Sequence, residues 1–81
     1  MKKYKIMLKT IDDIKVFAAA AAGCSAELDL CSGRYVVDAK SIMGIFSLDL
    51  SKPIDLNIHA DGSALDVILE ALEPYVAGEE A

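Results

Sequence analysis

The chain has 81 residues, a hydrophobic fraction of 54% and a formal net charge of −5. This length predicts one domain over residues 1–81, and the apolar content excludes a disordered chain. Only eight Lys and Arg stand against thirteen Asp and Glu, so the sequence lacks the basic face that nucleic acids require, and we expect no nucleic-acid partner.

Membrane-spanning and metal-binding classes are also disfavoured. No apolar run reaches the roughly 20 residues that span a bilayer, and the Lys-rich start leads into an alternating pattern instead of the apolar core of a signal peptide. We therefore expect a cytoplasmic protein without membrane insertion. Cys24, Cys31 and His59 do not have the spacing of a metal site. We expect free thiols, no metal and no cofactor.

The N-terminal third predicts a strand followed by a helix. Apolar residues occupy every second position of the strand, at Tyr4, Ile6 and Leu8. Thr10 and Asp13 have the spacing of a capping box, in which each side chain accepts a backbone N–H of the other residue. The helix that they begin should end near Gly23. Its apolar residues recur at helical spacing, at Ile14, Phe17, Ala18 and Ala21.

Two shorter strands and a short helix follow. The strands carry alternating apolar residues, at Ala26, Leu28 and Leu30 and then at Tyr35 and Val37. Ser32 and Gly33 predict the two-residue turn between these strands. Ser41 then has the position of a helix N-cap, and the helix after it is apolar on almost every side.

The C-terminal third predicts one more strand and one more helix. The strand follows a break at Pro53, and its apolar residues alternate at Ile54, Leu56, Ile58 and Ala60. Ser63 and Asp66 have the Ser-x-x-Asp spacing of a helix start, and Pro74 limits that helix. We expect the tail, residues 78–81, to be frayed.

The elements therefore follow the order β-α-β-β-α-β-α. One apolar face per strand predicts an α+β fold, an open-faced sandwich with a four-stranded antiparallel sheet and three helices on one face. A ferredoxin-like fold shares the first six elements and is the alternative at this level.

The segment from Lys40 to Leu48 reads Lys-Ser-Ile-Met-Gly-Ile-Phe-Ser-Leu. It closely resembles the HPr family, the histidine-containing phosphocarriers of the bacterial sugar phosphotransferase system, which carry Lys-Ser-Ile-Met-Gly, an apolar pair, Ser and Leu at this point. Weaker similarity in the order and spacing of the elements extends over nearly the whole chain. The resemblance implies the HPr-like open-faced β-sandwich and a protein that is not an enzyme.

The phosphoacceptor histidine of that family has no counterpart here. The family places it before the first long helix, in a Gly-(Leu/Ile)-His-Ala-Arg-Pro-Ala segment. Counting back from Ser41 without gaps puts Thr10 at the histidine position. Asp12 and Asp13 then occupy the arginine and proline positions, where two carboxylates repel a dianionic phosphoryl group. We therefore expect no catalytic residue at this site, and no substitute in His59, which faces outward from its strand.

The serine of the resemblance is retained. In Gram-positive members the serine that matches Ser41 is phosphorylated by an HPr kinase/phosphorylase, and the product binds a catabolite-control transcription repressor. Ser41 has Gly44 three residues on, where the other two predicted helix starts have an aspartate. A phosphate on Ser41 would therefore meet a helix start without a carboxylate, and Lys40 adds a positive charge.

The docking positions of the resemblance are retained as well. Ile42, Met43 and Phe46, called the apolar patch from here on, match positions that bind partner proteins in the family, and we include Lys40 in the docking surface. Ile45 and Leu48 match core positions.

Together, these expectations predict a regulatory or adaptor protein of the phosphotransferase system. Its expected partners are HPr kinase/phosphorylase, a catabolite-control regulator or other phosphotransferase-system proteins, and it is expected to be a monomer or weak homodimer. One alternative is a phosphocarrier with a non-standard acceptor, such as Thr10 or His59. Another is a structural module in which the apolar patch forms a homodimer, and a further one is an unrelated ferredoxin-like ligand-binding module.

Overall fold

A computed structural model describes the backbone of residues 2–79 and the side chains of residues 3–77. Its elements in chain order are β1 (Lys2–Ile6), α1 (Ile11–Ala22), β2 (Glu27–Ser32), β3 (Tyr35–Asp38), α2 (Ile42–Phe46), β4 (Ile54–His59), α3 (Gly62–Leu72), a 3-10 turn (Glu73–Tyr75) and β5 (Val76–Glu79). The predicted order β-α-β-β-α-β-α is confirmed, and the 3-10 turn and β5 are added at its end.

The strands form one antiparallel sheet in the order β3-β2-β4-β1-β5. Leu28 on β2 pairs with Ile58 on β4, and Tyr4 on β1 pairs with Leu56 on β4. Because side chains alternate along each strand, these apolar residues share one face of the sheet. All four are buried, which confirms the predicted open-faced α+β architecture.

The hydrophobic core lies between that face and the helices. The largest fully buried side chains come from the sheet and from all three helices, and they are Phe17, Ile6, Leu28, Leu30, Ile45, Ile54, Leu56, Ile58 and Leu72. The ring of Phe17 also meets that of Tyr75 edge to face, with centroids 5.6 Å apart. Burial of a side chain of this kind contributes about 1.5–3 kcal/mol, so this core fixes the helices, and with them the helix N-termini, on the sheet.

The sheet has five strands where the sequence predicts four. β5 runs beside β1, and Gly78 pairs with Lys5. The expectation of a frayed tail over residues 78–81 is therefore wrong at Gly78 and Glu79, and residues 80 and 81 lie outside those that the structure describes. The register shifts once within this pairing, an irregularity that is common at sheet edges.

The β2–β3 turn lies one residue later than predicted. It consists of Gly33 and Arg34, while Ser32 is already paired with Tyr35. Gly33 has a φ of 60°, a left-handed conformation that two-residue hairpin turns require and that glycine adopts without strain.

Of the two long helices, one has the predicted boundaries and the other does not. Gly23 is the C-cap of α1, as predicted. α3 begins at Gly62 with Asp61 at the N-cap position, so the predicted start at Ser63 is wrong. α3 ends at Leu72, before the 3-10 turn that contains Pro74. No helix within residues 2–79 has the length and apolar character needed to cross a bilayer.

The face of the sheet opposite the helices carries polar and charged side chains. Lys5 and Asp55 are cross-strand neighbours, with Nζ and Oδ1 2.6 Å apart. Asn57 is 7% exposed and donates from Nδ2 to Cys31 Sγ at 3.1 Å. Cys31 and Cys24 are free thiols, as predicted.

Candidate functional site

The N-terminus of α1 is capped by the side chains of its N-cap residue, Thr10, and of Asp13 in its first turn. Thr10 Oγ1 accepts the backbone N–H of Asp13 at 3.0 Å. Asp13 Oδ2 accepts the backbone N–H groups of Lys9 and Thr10 at 3.0 and 3.2 Å. The predicted capping box is therefore confirmed. Asp12 places a second carboxylate in the same turn.

This arrangement is unsuited to holding a phosphoryl group. Free N–H groups at a helix start attract anions, but here the Asp13 carboxylate already accepts the two N–H groups in front of the helix. A dianion about 4 Å from one aspartate is opposed by about 2 kcal/mol even in bulk water, at about 1 kcal/mol for each pair of unit charges. The start of α1 therefore repels the group that a phosphocarrier must accept.

The single histidine of the chain lies elsewhere. Ile6, the last residue of β1 before α1, pairs with Ile54 at the start of β4, whereas His59 ends β4 and so lies toward the far end of the sheet from Thr10. Its Nε2 is 2.7 Å from Asp29 Oδ2, and it is exposed, as predicted. Among the residues with described side chains, no group of His, Cys, Asp or Glu could hold a metal ion.

The N-terminus of α2 is organised differently. Ser41 Oγ accepts the N–H of Gly44 at 3.1 Å, which confirms the predicted N-cap. The first turn of α2 contains no acidic residue. Ser41 is therefore held, half-buried, at a helix start that carries partial positive charge and has no acidic residue in its first turn.

Gly44 explains why α2 has no capping box. A Cβ at this position would lie 3.1 Å from the Cβ of Val37 on β3 and 3.3 Å from the Oγ of Ser41. An aspartate there, matching the α1 arrangement, would press its first carbon against β3. The close approach of α2 to β3 therefore disfavours an acidic residue at position 44, in the first turn of α2.

The sequence predicts a turn at Asp38–Lys40, but it did not reveal that the Asp38 side chain holds this turn in front of Ser41. Asp38 Oδ1 accepts the backbone N–H of Lys40 at 2.9 Å, and the Asp38 carbonyl accepts the N–H of Ser41 at 3.0 Å. The first of these bonds is that of an Asx turn. The available signal was an aspartate at the end of a predicted strand and two residues before Lys40.

The charge of Lys40 is engaged at the end of α1. Its Nζ donates to the carbonyl of Cys24 at 3.1 Å, directly after the C-cap Gly23. A cation at this position satisfies a terminal carbonyl and opposes the negative end of the helix dipole. Lys40 therefore connects the end of α1 to the residue that begins α2.

The apolar patch lies on the exposed side of α2. Ile42, Met43 and Phe46 are 40%, 83% and 46% exposed, whereas Ile45 and Leu48 are buried. The predicted division of this helix into surface and core positions is confirmed. Exposed apolar groups that cluster beside one another usually mark an interaction surface.

The structure brings Ser41 and the apolar patch together on one element and separates them from Thr10. Asp38, three residues before Ser41, pairs with Asp29, and Asp29 pairs with Asn57 near the end of β4. α1 instead begins beyond the opposite end of the sheet. The positions that carry the two kinds of phosphorylation in the resemblance are therefore separate in space.

Comparison with known proteins identifies the family. The family model described as the PTS HPr component phosphorylation site matches residues 13–77. A crystal structure of HPr-C-His from Thermoanaerobacter tengcongensis matches with a TM-score of 0.69 and 27% identity, over 90% of this chain and 92% of that chain. No curated protein matches the sequence.

The matched range contains Ser41 and the apolar patch, and it begins three residues after Thr10. It covers most of the chain, and the structural match extends over the same fold. Proteins of this family are phosphocarriers, not enzymes, and they interact with other proteins of the phosphotransferase system. The chain belongs to the HPr family of the phosphotransferase system.

Proposed function

We propose that this protein is a regulatory or adaptor member of the HPr family that has lost the phosphocarrier role. In this proposal an HPr kinase/phosphorylase modifies Ser41, and the modified protein binds a catabolite-control regulator or another phosphotransferase-system protein through the apolar patch. The protein acts in the cytoplasm and catalyses no reaction itself. The closed N-terminus of α1 is the observation that carries the proposal.

The loss of the carrier role is argued from two properties of that N-terminus. The Asp13 carboxylate occupies the backbone donors of Lys9 and Thr10 in front of the helix, and Asp12 adds like charge beside it. Thr10 has a hydroxyl in place of an imidazole, and it already accepts the N–H of Asp13. A phosphate on that hydroxyl would be a stable ester, which disfavours its transfer to another protein. It would also break the hydrogen bond by which Thr10 caps α1.

A phosphate on Ser41 is supported by the geometry at the start of α2. A phosphoserine carries a charge of about −1.5 to −2 and three acceptor oxygens, and an anion near an exposed helix start gains about 0.3–1 kcal/mol from the dipole. Gly44 already donates to the Oγ of Ser41, and no carboxylate lies in the first turn of the helix. The neighbouring Lys40 adds a cation that could exchange the Cys24 carbonyl for a phosphate oxygen.

Two labelling reactions test the phosphorylation part. We expect no phosphate uptake from phosphoenolpyruvate and enzyme I, and one phosphate on Ser41 from ATP and an HPr kinase, both read by mass spectrometry of the intact protein and its peptides. Ser41→Ala should abolish the second label. Ser63→Ala is the control, because Ser63 is an exposed serine in the first turn of another helix, α3, and it should keep the label.

Folding must be checked for the Ser41 variant, because loss of an N-cap costs about 1 kcal/mol. Far-UV circular dichroism at the assay temperature shows whether the unlabelled variant is still folded. Label from phosphoenolpyruvate on Thr10 or His59 would overturn the proposal and favour a phosphocarrier with a non-standard acceptor.

A binding experiment tests the apolar patch. Met43→Asp should weaken binding of the phosphorylated protein to a catabolite-control regulator by about tenfold or more, since a charge at the centre of an apolar contact is costly. Val67→Asp is the matched control, because Val67 on α3 is 67% exposed and outside the patch. Equal loss in both variants would show that the patch is not the docking surface.

A further inference from the structure

β3 forms an open edge of the sheet. It pairs with β2 on one side, and no other strand within residues 2–79 pairs with its far side. Tyr35 and Val36 are 68% and 64% exposed. The strand has the sequence Tyr-Val-Val-Asp, which favours β structure and lacks the lysine, proline or bulge that commonly protects an edge. An edge of this kind is suited to pair with a further strand.

The backbone groups of Val36 point away from β2. The N–H of Ala39 donates to the carbonyl of Leu28 on the β2 side at 2.9 Å. Hydrogen-bonded residues alternate along an antiparallel strand, so Val37 and Tyr35 also direct their backbone groups toward β2. Val36 lies between them and therefore presents one N–H and one C=O at the open edge.

We propose that the strand that pairs with this edge belongs to a second copy of the chain, joined by antiparallel pairing of the two β3 strands about Val36. A two-fold axis at that position places Val36 opposite itself, Tyr35 opposite Val37, and Arg34 opposite Asp38. Each Arg34 then faces an Asp38 of the other copy, and both residues are exposed in the single chain. The pairing therefore forms two Val36 backbone hydrogen bonds and two pairs of opposite charge.

This charge pattern favours a second copy over an unrelated extended peptide. The basic residue before β3 and the acidic residue at its end lie at equal distances from Val36, so the edge is complementary to itself in the antiparallel direction. The contact is small and joins two chains with a net charge of −5 each, and small interfaces belong to weak complexes. The dimer fraction therefore rises with protein concentration. The inference does not depend on phosphorylation of Ser41.

Sedimentation equilibrium of two charge variants and their mixture tests the pairing. Arg34→Asp places two acidic residues opposite each other, and Asp38→Arg places two basic residues opposite each other, so each variant alone should dimerise about tenfold more weakly or worse. In an equimolar mixture every charge pair of the heterodimer is of opposite sign. The mixture should therefore regain the dimerisation of the natural sequence.

A second comparison avoids Asp38, whose side chain also holds the turn before Ser41. Val36→Lys places two lysines at the centre of the contact and should abolish the dimer. Val67→Lys makes the same change at an equally exposed valine on α3 and should leave it intact. Circular dichroism confirms that each variant is folded. The proposal is overturned if the natural sequence is monomeric up to about 1 mM, if the mixture stays monomeric, or if Met43→Asp dissociates a dimer that Val36→Lys leaves intact.

Discussion

Ile45 and Met43 lie two residues apart on α2, yet Ile45 is fully buried and Met43 is 83% exposed. A step of two residues turns a helix by about 200°, so the two side chains leave α2 in nearly opposite directions. Ile45 joins the core shared with Phe17 and the sheet. Met43 faces solvent beside Ser41. One short helix therefore carries a folding residue and a candidate contact residue next to each other.

Replacing these two residues by alanine should have opposite effects on stability and binding. Ile45→Ala should lower the free energy of unfolding by about 2–5 kcal/mol, because it leaves a cavity in the core. Met43→Ala should change it by about 0.5 kcal/mol or less and weaken only partner binding. Urea unfolding followed by circular dichroism measures both, and similar losses in the two variants would contradict the burial described for α2.

Replacing Gly44 and Gly23 by alanine should change the free energy of unfolding in opposite directions. A Cβ at Gly44 meets the Cβ of Val37 at 3.1 Å, and the cost of overpacking, about 1–3 kcal/mol, exceeds the gain of about 1 kcal/mol in helix propensity. We expect Gly44→Ala to lower the free energy of unfolding by about 1 kcal/mol. At Gly23 the φ is −77° and the nearest atom to a Cβ is 3.5 Å away, so Gly23→Ala should raise it by about 0.4–1 kcal/mol. Thermal unfolding compares the two, and stabilisation in both would refute the close contact.

Restoring the family pattern at the start of α1 should restore phosphate uptake only when the carboxylates are removed. Thr10→His alone leaves Asp12 and Asp13 beside the phosphoryl position, and uptake from phosphoenolpyruvate and enzyme I should be about tenfold or more below that of the triple variant Thr10→His/Asp12→Arg/Asp13→Pro. The initial rate of phosphate incorporation is the measurement. Equal rates for the single and triple variants would show that the carboxylates do not block the site.

The pKa of Asp49 should lie below the usual value for an aspartate. The hydroxyl of Ser51 donates to Asp49 Oδ1 at 2.6 Å, and the Ser51 backbone N–H donates to the same oxygen at 3.1 Å. The hydroxyl bond is the larger cause of the lowered pKa, and Lys52 adds a smaller one. These bonds favour the charged carboxylate in the folded state. A carboxyl carbon NMR titration measures the pKa directly.

The sign of the resulting pH dependence follows from linkage. A carboxyl group with a lowered pKa in the folded state contributes stability above its unfolded pKa, and that contribution is lost as the pH falls through the folded pKa. The stability advantage of the natural sequence over Asp49→Asn should therefore shrink at acid pH. Ser51→Ala should move the pKa of Asp49 back toward the usual value, and an unchanged pKa in that variant would contradict the assignment.

Local patterns in the sequence predicted the α1 cap and missed the α3 cap, although both look alike. Thr10 and Asp13 satisfy each other and nothing nearby competes with them. At α3 both Asp61 and Ser63 are residue types that cap helices, and Asp61 occupies the N-cap position without a side-chain cap hydrogen bond, followed by Gly62 at a φ of 59°. A choice between two suitable neighbours depends on how the helix packs, which spacing alone does not reveal.

Features that depend on residues far apart in the chain could not be predicted from local sequence patterns. β5 has no clear alternation, and it becomes a strand because β1 offers it a free edge. The bond of Lys40 to the Cys24 carbonyl joins residues 16 positions apart. Asn57 alternates as an outward residue should, yet it is buried next to Cys31 on the open face. Each of these follows from the assembled sheet, whereas the caps and apolar faces follow from neighbours in the chain.

The two edge strands of the sheet, β3 and β5, differ in the regularity of their pairing, and this difference limits how copies of the chain can assemble through them. The pairing of β5 with β1 contains a register shift, and such irregularity makes an edge strand a poor template for pairing with another chain. β3 is the regular edge among the described strands. In the proposed dimer the regular β3 edges of both copies pair with each other, and the outer strands of the combined sheet are the irregular β5 edges. Growth of the proposed dimer would then stop at two molecules, which would protect it from extending into fibrils.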